Sequence, residues 1–423
     1  LARGIAVSMP ALADDPRIST LAMARGDFAV RPMAHPDIVI VDDYEADPEI
    51  ERRWIATGAL VVAVDDAPTR KHDCQLLIDQ NDLFERHADA YRSHASADAR
   101  LLLGPRFAML GRSIRRVRDL RERRNAVRRV VVNWGAIDRP ELTALAEGVL
   151  ARRGLEVRVI TSRDGVADMA EHWQWADLAV GAAGSSSWER ACVGLPSIVI
   201  AVADNQVPVG QTLDEAGLAV YAGTASELTR DSLEAGIDDL RKLDRVATMA
   251  ARCTSVVDGH GAARVARAIH ARAACLSVRD VRSGDSSMLR AWRNDPESVR
   301  QSLQRSEVTE SEHDDWIRPY LAIGSQSLLL IVQRGARSVG FVRFDDAADG
   351  WRLSYGVAPE CRGDGLAAPM VDAGLDELTR RGFTGRITAD VRDDNERSLR
   401  TLHRCGFLTE AHRDGIETLR TVA

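Results

Sequence analysis

Residues 176–206 read ADLAVGAAGSSSWERACVGLPSIVIAVADNQ. An apolar run ends in glycine, seven small residues follow from Gly181 to Ser187, and a second apolar run begins after a short helical segment. Short apolar runs that alternate with helices are typical of a parallel sheet covered on both faces. Open α/β sheets bind their ligands at the carboxyl ends of the strands. The small-residue turn is therefore a candidate ligand-binding turn in an α/β fold.

The same alternation extends on both sides of this turn. Further apolar runs with polar or glycine-rich ends occur at 37–44, 58–68, 128–136 and 155–162. Helical segments such as 139–154 separate these runs, and the basic segment 112–129 divides them into two groups. We therefore predict two doubly wound parallel-sheet halves that face one cleft, which is the GT-B arrangement. Residues 1–111 would form the first half and residues 112–274 the second.

The alternation of apolar runs with helical segments ends at Leu276. Three apolar segments joined by short turns predict an antiparallel meander, at 327–333, 337–346 and 351–359. A helix, a strand over 385–391 and another helix follow. Strands that are segregated from helices in this way indicate an α+β architecture. We therefore predict a separate α+β domain over residues 275–423.

The chain begins with Leu-Ala-Arg-Gly rather than with methionine. This opening looks like the last turn of a helix with its glycine cap, followed by a strand. Domains seldom begin in the middle of such a unit. We therefore expect a strand and a helix to precede Leu1, which would leave the first half incomplete.

The composition limits the classes of partner. Hydrophobic residues make up 45% of the chain and charged residues 28%, as in globular proteins. The formal net charge is −7, and phosphate contacts require clustered positive charge, so nucleic acid is not an expected partner. The basic run RRVRDLRERRNAVRR (115–129) has acidic interruptions, and we interpret it as a solvated helix or a linker. No apolar stretch reaches about 18 residues, so no membrane segment is expected.

The cysteines carry information about the redox compartment and about metals. The chain has six, which are Cys74, Cys192, Cys253, Cys275, Cys361 and Cys405. No pair has the spacing of metal ligands or of a redox motif, and several lie within apolar patterns. We interpret them as buried thiols in a reducing compartment. The prediction is a cytoplasmic protein without a metal site.

The first candidate site combines the small-residue turn with the helix and the strand end that follow it. Such a turn leaves backbone N–H groups free to bind an anion, and small side chains let a diphosphate approach closely. The serines 185–187 are candidate N-caps, and Glu189 is placed to accept hydrogen bonds from ribose hydroxyls. Asn205 and Gln206 end the next strand at the same sheet edge. The alternative is a tight strand–helix crossing with a serine cap and no ligand.

These residues resemble the nucleotide-sugar site of the UDP-sugar hydrolases of pseudaminic acid biosynthesis, which are GT-B proteins. The resemblance covers most of residues 1–272. It includes VDDY (41–44), VDDAPTRKHDCQLLIDQN (64–81), LLGPRFAML (102–110) and VDGHGAARVA (257–266). It implies cleavage of UDP from a 2,4-diacetamido-2,4,6-trideoxy-altrose, with water attacking the anomeric carbon.

The resemblance also implies roles for individual residues. Those that would bind the UDP-sugar are Gly184, Ser185, Ser186, Glu189, Asn205 and Gln206. Tyr44 would face the sugar from the other half, and the alternative is a tyrosine in a surface turn. The family carries a catalytic histidine in a Gly-His-x-x-Arg loop, which would lie upstream of Leu1. His35 and His72 are in the correct half to replace it, but we interpret each of them as a histidine of a surface loop.

The second candidate site lies in APECRGDGLAAPM (358–370), which contains Arg-x-x-Gly-x-Ala. The motif follows a predicted strand and opens a helix whose apolar positions fall on one face. Backbone N–H groups from Arg362 to Ala367 can bind a pyrophosphate, and the helix dipole favours negative charge there. Further along, NERSLRTLHRCGF (395–407) supplies Asn-x-x-Ser and then Gly-Phe.

Together these two motifs resemble the GNAT acetyltransferase superfamily over residues 276–423. The segment 289–313 is similar to the N-acetyltransferase branch of the pseudaminic acid pathway. The resemblance implies that acetyl-CoA, as co-substrate, lies in a splayed gap between two parallel strands. The backbone N–H of Val357 would polarise the thioester carbonyl. The residues implied in acetyl-CoA binding are Val357, Arg362, Gly363, Asp364, Gly365, Ala367 and Asn395.

The residues that move protons in this second site are open. Many members of the superfamily protonate the departing thiolate with a tyrosine seven residues after the asparagine, where this chain has Leu402. The catalytic candidates are Tyr355, against a core tyrosine, and His403, against a solvated helix histidine. A step of one residue turns His403 about 100° around the helix from Leu402. His313 and Trp316 resemble sugar-side residues of the branch, and the alternative for both is helix packing.

The leading hypothesis is a bifunctional enzyme of pseudaminic acid biosynthesis. The C-terminal domain would acetylate the 4-amino group of a UDP-amino-sugar. The GT-B part would then release UDP from the UDP-2,4-diacetamido-sugar by hydrolysis. The alternative is an acetyltransferase that carries a non-catalytic UDP-sugar-binding GT-B remnant, and a glycosyltransferase is a third hypothesis. The oligomeric state stays open.

Overall fold

A computed structural model describes most of the chain. The described residues are 21–25, 28–29, 37–42, 46–82, 86–121, 127–135, 138–164, 168–242, 244–322, 324–325, 327–383 and 385–422. They divide into two compact units, one up to Ala262 and one from Ala263 onward. The division falls within a helix that the sequence assigned to the second half, and the domain limits at residues 111 and 274 stay predictions.

The first sheet of the first unit contains the strands predicted at 37–44 and 58–68. Its strands are β1 (Leu21–Arg25), β2 (Phe28–Ala29), β3 (Ile38–Val41), β4 (Leu60–Val64), β5 (Leu76–Asp79) and β6 (Arg100–Leu103). Their order is β2-β1-β3-β4-β5-β6, and every neighbouring pair is parallel except β1 with β2. Between the strands lie α1 (Pro48–Ala56) and α2 (Ala88–His94).

The second sheet of this unit is parallel throughout. Its strands are β7 (Arg129–Asn133), β8 (Glu156–Ile160), β9 (Leu178–Ala182), β10 (Ser197–Ala201) and β11 (Val220–Thr224). Their order is β11-β10-β9-β7-β8. The helices are α3 (Arg112–Leu120), α4 (Pro140–Arg152), α5 (Ala170–Trp175), α6 (Ser186–Cys192), α7 (Gln206–Glu215), α8 (Arg230–Leu240) and α9 (Arg245–Val256). The predicted pair of parallel-sheet α/β halves is confirmed.

Burial on both faces explains the composition of the central strands. Every residue of β9 and β10 is buried, so these strands are apolar or small throughout. Gly181 in β9 has a further reason to be small. A Cβ there would lie 2.1 Å from the carbonyl oxygen of Asn133 and 3.1 Å from Nη1 of Arg190, whose side chain is buried.

The basic segment was interpreted as a solvated helix or a linker, and its first part lies in helix α3. Two of its arginines, however, are bound by the protein rather than solvated. Both donate to carbonyl groups at the ends of helices. Arg118 donates to the carbonyl oxygens of Cys192, Thr254 and Val257 at 2.7–2.9 Å. Arg121 donates to those of Ala176, Val193 and Gly194 at 2.8–3.2 Å. These bonds satisfy carbonyls that have no partner within their own helix.

The second unit is built on one mixed sheet. Its strands are β12 (Leu276–Asp280), β13 (Leu328–Arg334), β14 (Arg337–Ala347), β15 (Gly350–Val357), β16 (Arg386–Arg392), β17 (Leu408–Arg413) and β18 (Ile416–Val422). Their order is β12-β13-β14-β15-β16-β18-β17, and only the pair β15 and β16 is parallel. The predicted meander and the α+β architecture are confirmed.

The helices of the second unit cover this sheet. They are α11 (Ser286–Arg293), α12 (Pro296–Gln301), α13 (Glu310–Leu321), α14 (Ala367–Arg380) and α15 (Glu396–Arg404), with α10 (Gly261–Ala273) entering from the first unit. Gly374 lets α14 approach the sheet closely, because a Cβ at this position would lie only 2.6 Å from Cγ1 of Val342 in β14. Helix α14 therefore lies directly on the face of the meander.

The cysteines differ from their prediction at one position. Five are buried, but Cys275 is exposed. Burial raises the pKa of the Cys74, Cys192 and Cys253 thiols to about 12, so these three are unreactive as nucleophiles. Among the described residues, no helix is long and apolar enough to cross a lipid bilayer.

Candidate functional site

The small-residue turn joins β9 to α6 at the carboxyl edge of the second sheet. The Nε2 atom of Gln206 lies 3.3 Å from the position that a Cβ of Gly184 would occupy. Its Oε1 atom accepts a hydrogen bond from the backbone N–H of Val202 at 3.0 Å. The turn and the end of the next strand are therefore brought together, as expected from the parallel order of the strands.

The serine cap predicted for this turn is not formed. Ser185 occupies the N-cap position of α6 with helical dihedral angles (φ −55°, ψ −31°), and its side chain makes no capping hydrogen bond. A capping serine normally needs an extended backbone to reach the first N–H groups of the helix. The hydroxyl of Ser187 instead accepts a hydrogen bond from Nη2 of Arg190 at 2.9 Å. The N–H groups of Ser187 and Trp188 donate to the carbonyl oxygens of Gly184 and Ser185 at 2.9 and 3.1 Å, so a ligand at this turn would meet the N–H groups that precede Ser187.

Glu189 already has one protein partner. Its Oε2 atom accepts a hydrogen bond from Nε1 of Trp173 at 2.9 Å. Burial raises the pKa of the Glu189 carboxyl, and the Trp173 bond and the charge of Arg190 oppose that shift. Its contact with ribose hydroxyls stays a prediction, and so do the roles of Ser185, Ser186 and Gln206 with a ligand.

Side chains of the two halves of the first unit meet near this turn. Trp188 Nε1 in α6 donates to Asn81 Oδ1 after β5 at 2.7 Å. Asn205 Nδ2 donates to Asp66 Oδ2 after β4 at 3.4 Å. These contacts join the carboxyl edges of the two sheets. Tyr44, the candidate on the first half, lies outside the described residues.

His72 is not a surface histidine, which corrects the sequence interpretation. Its side chain is buried between two carboxylates, with Nδ1 3.0 Å from Glu51 Oε1 and Nε2 2.9 Å from Asp65 Oδ2. Burial lowers the pKa of His72, but the hydrogen bonds to Asp65 and Glu51 outweigh it and hold this pKa above its ordinary value. Both ring nitrogens are occupied, so His72 fixes the loop after β4 and has no nitrogen left for a substrate. His35 lies outside the described residues.

The second unit contains the splayed strands that the sequence predicts. The parallel strands β15 and β16 pair only at Trp351 with Ile387 and at Arg352 with Thr388. Beyond these pairs, β15 continues to Val357 and β16 to Arg392 without further pairing between them. A gap therefore opens between the carboxyl ends of two neighbouring strands.

The backbone of Val357 faces this gap. Val357 lies opposite Gly340 on β14, and Ala358 donates its N–H to Val339 at 2.9 Å. In an antiparallel ladder, hydrogen-bonded pairs alternate with pairs whose N–H and C=O groups point away from each other. The pair of Ala358 with Val339 is hydrogen-bonded, so the N–H of Val357 points away from β14, toward β16.

The two glycines of the turn before α14 are not covered by other atoms. Gly363 and Gly365 have φ values of 93° and 72°, and no atom lies within 4 Å of the position of a Cβ on either. Leu366 is the N-cap of α14 and has no side-chain capping bond. The first N–H groups of the helix, from Ala367 onward, have no carbonyl partner in their own helix. Asp364 is exposed beside them.

Arg362 holds this turn in place through its side chain. Its Nη1 atom pairs with Asp295 Oδ2 at 2.6 Å, and its Nη2 atom donates to Ser298 Oγ at 2.8 Å. Asp295 is also the N-cap of α12 and accepts from the N–H groups of Glu297 and Ser298. The guanidinium is therefore bound to protein partners, and the backbone N–H of Arg362 donates to the carbonyl oxygen of Pro359 at 3.4 Å. Its contact with a pyrophosphate stays a prediction.

Asn395, Ser398 and Tyr355 form one connected group. Asn395 caps α15, because its Oδ1 atom accepts from the N–H of Ser398 at 3.1 Å. The hydroxyl of Ser398 lies 3.0 Å from that of Tyr355 on β15. Burial raises the pKa of the Tyr355 hydroxyl. Tyr355 is therefore a neutral hydroxyl two residues before Val357 and on the same side of the strand.

His403 is not brought into this group. It is exposed in the last turn of α15, and its Nδ1 atom lies 3.1 Å from the carbonyl oxygen of Phe407. The neighbouring Leu402 is fully buried, so the two side chains leave the helix in different directions. The structure thus joins Tyr355 to Ser398 and leaves His403 outside this group, on the exposed side of the helix.

His313 and Trp316 lie on α13 and stack on each other, with ring centroids 5.1 Å apart. The ring centroids of Trp316 and Tyr320 lie 5.5 Å apart. The guanidinium of Arg343 on β14 lies 5.6 Å from the ring centroid of Trp316. Burial lowers the pKa of His313. This arrangement fits helix packing. Across the described part of the chain, no group of three or more His, Cys, Asp or Glu side chains could hold a metal ion.

Two family models match separate parts of the chain. Residues 276–408 match the acetyltransferase (GNAT) domain. Residues 150–266 match the glycosyltransferase family 28 C-terminal domain. The chain therefore contains a GNAT acetyltransferase domain fused to a domain like the C-terminal domain of family 28 glycosyltransferases. No curated protein matches the chain.

Solved structures similar to this chain cover about a third of it. A spermidine N-acetyltransferase from Vibrio cholerae, in complex with CoA and spermine, is 16% identical over 35% of this chain and 95% of its own, with a TM-score of 0.31. A domain from Methanocaldococcus jannaschii is 18% identical over 35% and 98%, with a TM-score of 0.31. An aminoglycoside acetyltransferase in complex with coenzyme A is 19% identical over 34% and 94%, with a TM-score of 0.30.

Proposed function

We propose that the chain is a bifunctional enzyme of pseudaminic acid biosynthesis. The GNAT domain would transfer the acetyl group of acetyl-CoA to the 4-amino group of a UDP-amino-sugar. The first unit would release UDP from the resulting UDP-2,4-diacetamido-sugar by hydrolysis. The observation that carries the proposal is the presence in one chain of a GNAT domain and a glycosyltransferase family 28 domain, because two consecutive steps on one nucleotide sugar give this fusion a purpose.

The gap between β15 and β16 supports the acetyl-transfer step. The N–H of Val357 points toward the gap, and the turn of Gly363 and Gly365 follows at the start of α14. The neutral amine would attack the thioester carbonyl carbon, the electron pair of the carbon–sulfur bond would leave with the sulfur of CoA, and the nitrogen would lose one proton to solvent. The N–H of Val357 would stabilise the negative charge on the carbonyl oxygen. Tyr355 is the better placed of the two candidates for donating a proton to the thiolate.

The turn after β9 supports the nucleotide-sugar step. Gly184 and Gln206 lie together at the carboxyl edge of the second sheet, and Asn205 contacts Asp66 of the other half. A diphosphate at this turn would meet the backbone N–H groups that precede Ser187, and small side chains would let it approach. The same edge is where an open α/β sheet binds its ligand.

The proposal is tested by incubating the protein with acetyl-CoA and the UDP-4-amino-sugar and following free thiol and UDP. We expect thiol to appear first and UDP to follow. Absence of thiol would refute the acetyltransferase. Thiol without UDP, together with thermal stabilisation by UDP, would identify a UDP-sugar-binding remnant, and UDP release that requires an added acceptor would identify a glycosyltransferase.

Replacing Gly365 by alanine should raise the KM for acetyl-CoA about tenfold. Residue 365 has a left-handed backbone, which costs an L-residue about 1–2 kcal/mol, so the alanine would shift the turn and its N–H groups. Gly335→Ala is the matched control, because Gly335 also has positive φ (61°) and open space but lies in the turn between β13 and β14. An equal rise in KM for both variants would argue against pyrophosphate binding at the Gly365 turn.

A further inference from the structure

The side chain of Arg139 reaches across the carboxyl edge of the second sheet. Arg139 follows β7 and occupies the N-cap position of α4, and its Nη2 atom donates to the carbonyl oxygen of Val202 at 3.1 Å. Val202 is the residue directly after β10. In the sheet, β9 lies between β7 and β10, so the side chain must span the end of β9. The small-residue turn leaves the sheet from that same end.

The direction of the Val202 backbone supports this placement. Two residues earlier, the carbonyl oxygen of Ile200 accepts from the N–H of Ala183 at 2.9 Å, so Ile200 faces β9. The carbonyl oxygen of Ala201 accepts from Ala225 at 2.8 Å and faces β11. Because the hydrogen-bonding groups of a strand alternate between its two neighbours, those of Val202 face the side of β9.

Val202 also connects Arg139 to the candidate turn. Its N–H donates to Oε1 of Gln206 at 3.0 Å, and Nε2 of Gln206 lies 3.3 Å from the position that a Cβ of Gly184 would occupy. The N–H and the C=O of one residue thus bind Gln206 and Arg139. The guanidinium therefore lies beside the residues that would bind the UDP-sugar.

This guanidinium is not neutralised by a neighbouring carboxylate. Within the described residues, Arg139 forms no ion pair. The adjacent Asp138 pairs with Arg163 at 3.2 Å and accepts from the N–H of Ser162 at 2.9 Å. A guanidinium carries five N–H donors, and the bond to Val202 uses one of them. Arg139 is half-buried, so its other donors can reach a ligand.

Open space adjoins the same side chain. A cavity of about 300 Å³ lies between the end of β7, the first turns of α4 and the end of β8, and Arg139 lines it. Other residues that line the cavity are Trp134, Thr143, Glu147 and Ile160. Arg139 therefore borders this cavity and also the end of β9, where the candidate turn begins.

We propose that the guanidinium of Arg139 binds the diphosphate of the nucleotide sugar. The assignment rests on the proposed nucleotide-sugar site of the first unit. Arginine forms paired, charge-assisted hydrogen bonds with phosphate oxygens. The diphosphate would meet the backbone N–H groups of the small-residue turn and, from the side of β7, the guanidinium. The proposal concerns binding alone, so it holds for a hydrolase and for a UDP-sugar-binding remnant.

The test compares UDP with uridine, which lacks the diphosphate, by ligand-observed NMR titration of the full chain. We expect Arg139→Gln to raise the Kd for UDP about tenfold or more, the usual effect of losing a hydrogen bond to a charged group. The Kd for uridine should stay within about twofold, because uridine does not use the lost contact. Arg163→Gln is the matched control, because Arg163 lines the same cavity but pairs with Asp138. It should keep the wild-type Kd for UDP.

A second variant decides the test if the glutamine variant does not fold. Arg139→Lys keeps the positive charge but cannot pair with two phosphate oxygens, so its Kd for UDP should rise about three- to fivefold with that for uridine unchanged. An unchanged Kd for UDP in either folded variant, or an equal loss of affinity for UDP and uridine, would overturn the assignment while the UDP site stands. A wild-type chain that binds no UDP would overturn the site and the assignment together.

Discussion

Replacing Val357 by proline should lower kcat for acetyl transfer by roughly 10²–10³-fold, the usual cost of losing one donor to a developing oxyanion. Proline removes the backbone N–H and also fixes φ near −65°, so the fold of the variant has to be checked. Within a sheet that change normally breaks a ladder bond. Here the N–H of Val357 points away from β14 and toward the gap, so the ladder with β14 does not use it. The loss should therefore fall on catalysis.

Val357→Ala is the control for this experiment, because it shortens the side chain and keeps the N–H. We expect its kcat to stay within about threefold of the wild type. Initial rates of thiol release, measured over a range of acetyl-CoA concentrations, separate kcat from KM. Circular dichroism and the melting temperature show whether the proline variant is folded. A folded Val357→Pro protein with normal kcat would refute the role of this N–H.

Replacing Gly181 by valine should destabilise the first unit by about 3 kcal/mol or more, which is large for a single substitution. A Cβ at residue 181 would overlap the carbonyl oxygen of Asn133 on the neighbouring strand, 2.1 Å away. It would also press on the guanidinium of Arg190, whose Nη2 atom donates to the carbonyl of Ala182 at 2.8 Å. Backbone and a buried arginine cannot both move aside.

Calorimetry of the full chain can measure this effect, since two compact units are expected to give separable transitions. The transition that UDP raises in the wild type should fall or vanish in Gly181→Val, and the one that CoA raises should be unchanged. Gly148→Ala is the matched control, because Gly148 lies within α4 and a Cβ there would be 3.7 Å from its nearest neighbour. Alanine should stabilise that helix slightly. Equal melting of Gly181→Val and the wild type would contradict the close contact at β9.

The parallel sheets and the meander could be predicted because their strands are short apolar runs between clear breaks. The hairpin of β17 and β18 was missed, although a local signal for it exists. Asp414 and Gly415 both have positive φ, 52° and 73°, and Asp-Gly between alternating residues is a typical two-residue hairpin turn.

The Gly365 turn could be predicted because a local motif carries it, and the splayed gap was implied by the resemblance to the GNAT superfamily. The histidine environments could not be predicted, because they depend on side chains that meet only after folding. His72 was interpreted as a surface residue, but Glu51 and Asp65 reach it from α1 and from the end of β4. The contact of His87 with Asp79 was not predicted, because the adjacent sequence does not show that the two side chains lie 3.0 Å apart. The contacts of Arg118 and Arg121 could not be predicted either, because the carbonyl groups that they bind belong to helix ends that are distant in the sequence.

The six hydrogen bonds of Arg118 and Arg121 also restrict how this protein can move. They tie α3 to the ends of three helices of the second sheet, so α3 belongs mechanically to that sheet. If the two halves close around a ligand, a hinge within α3 would have to break these charge-assisted bonds. We therefore expect any such hinge before Arg112, in the short stretch after β6.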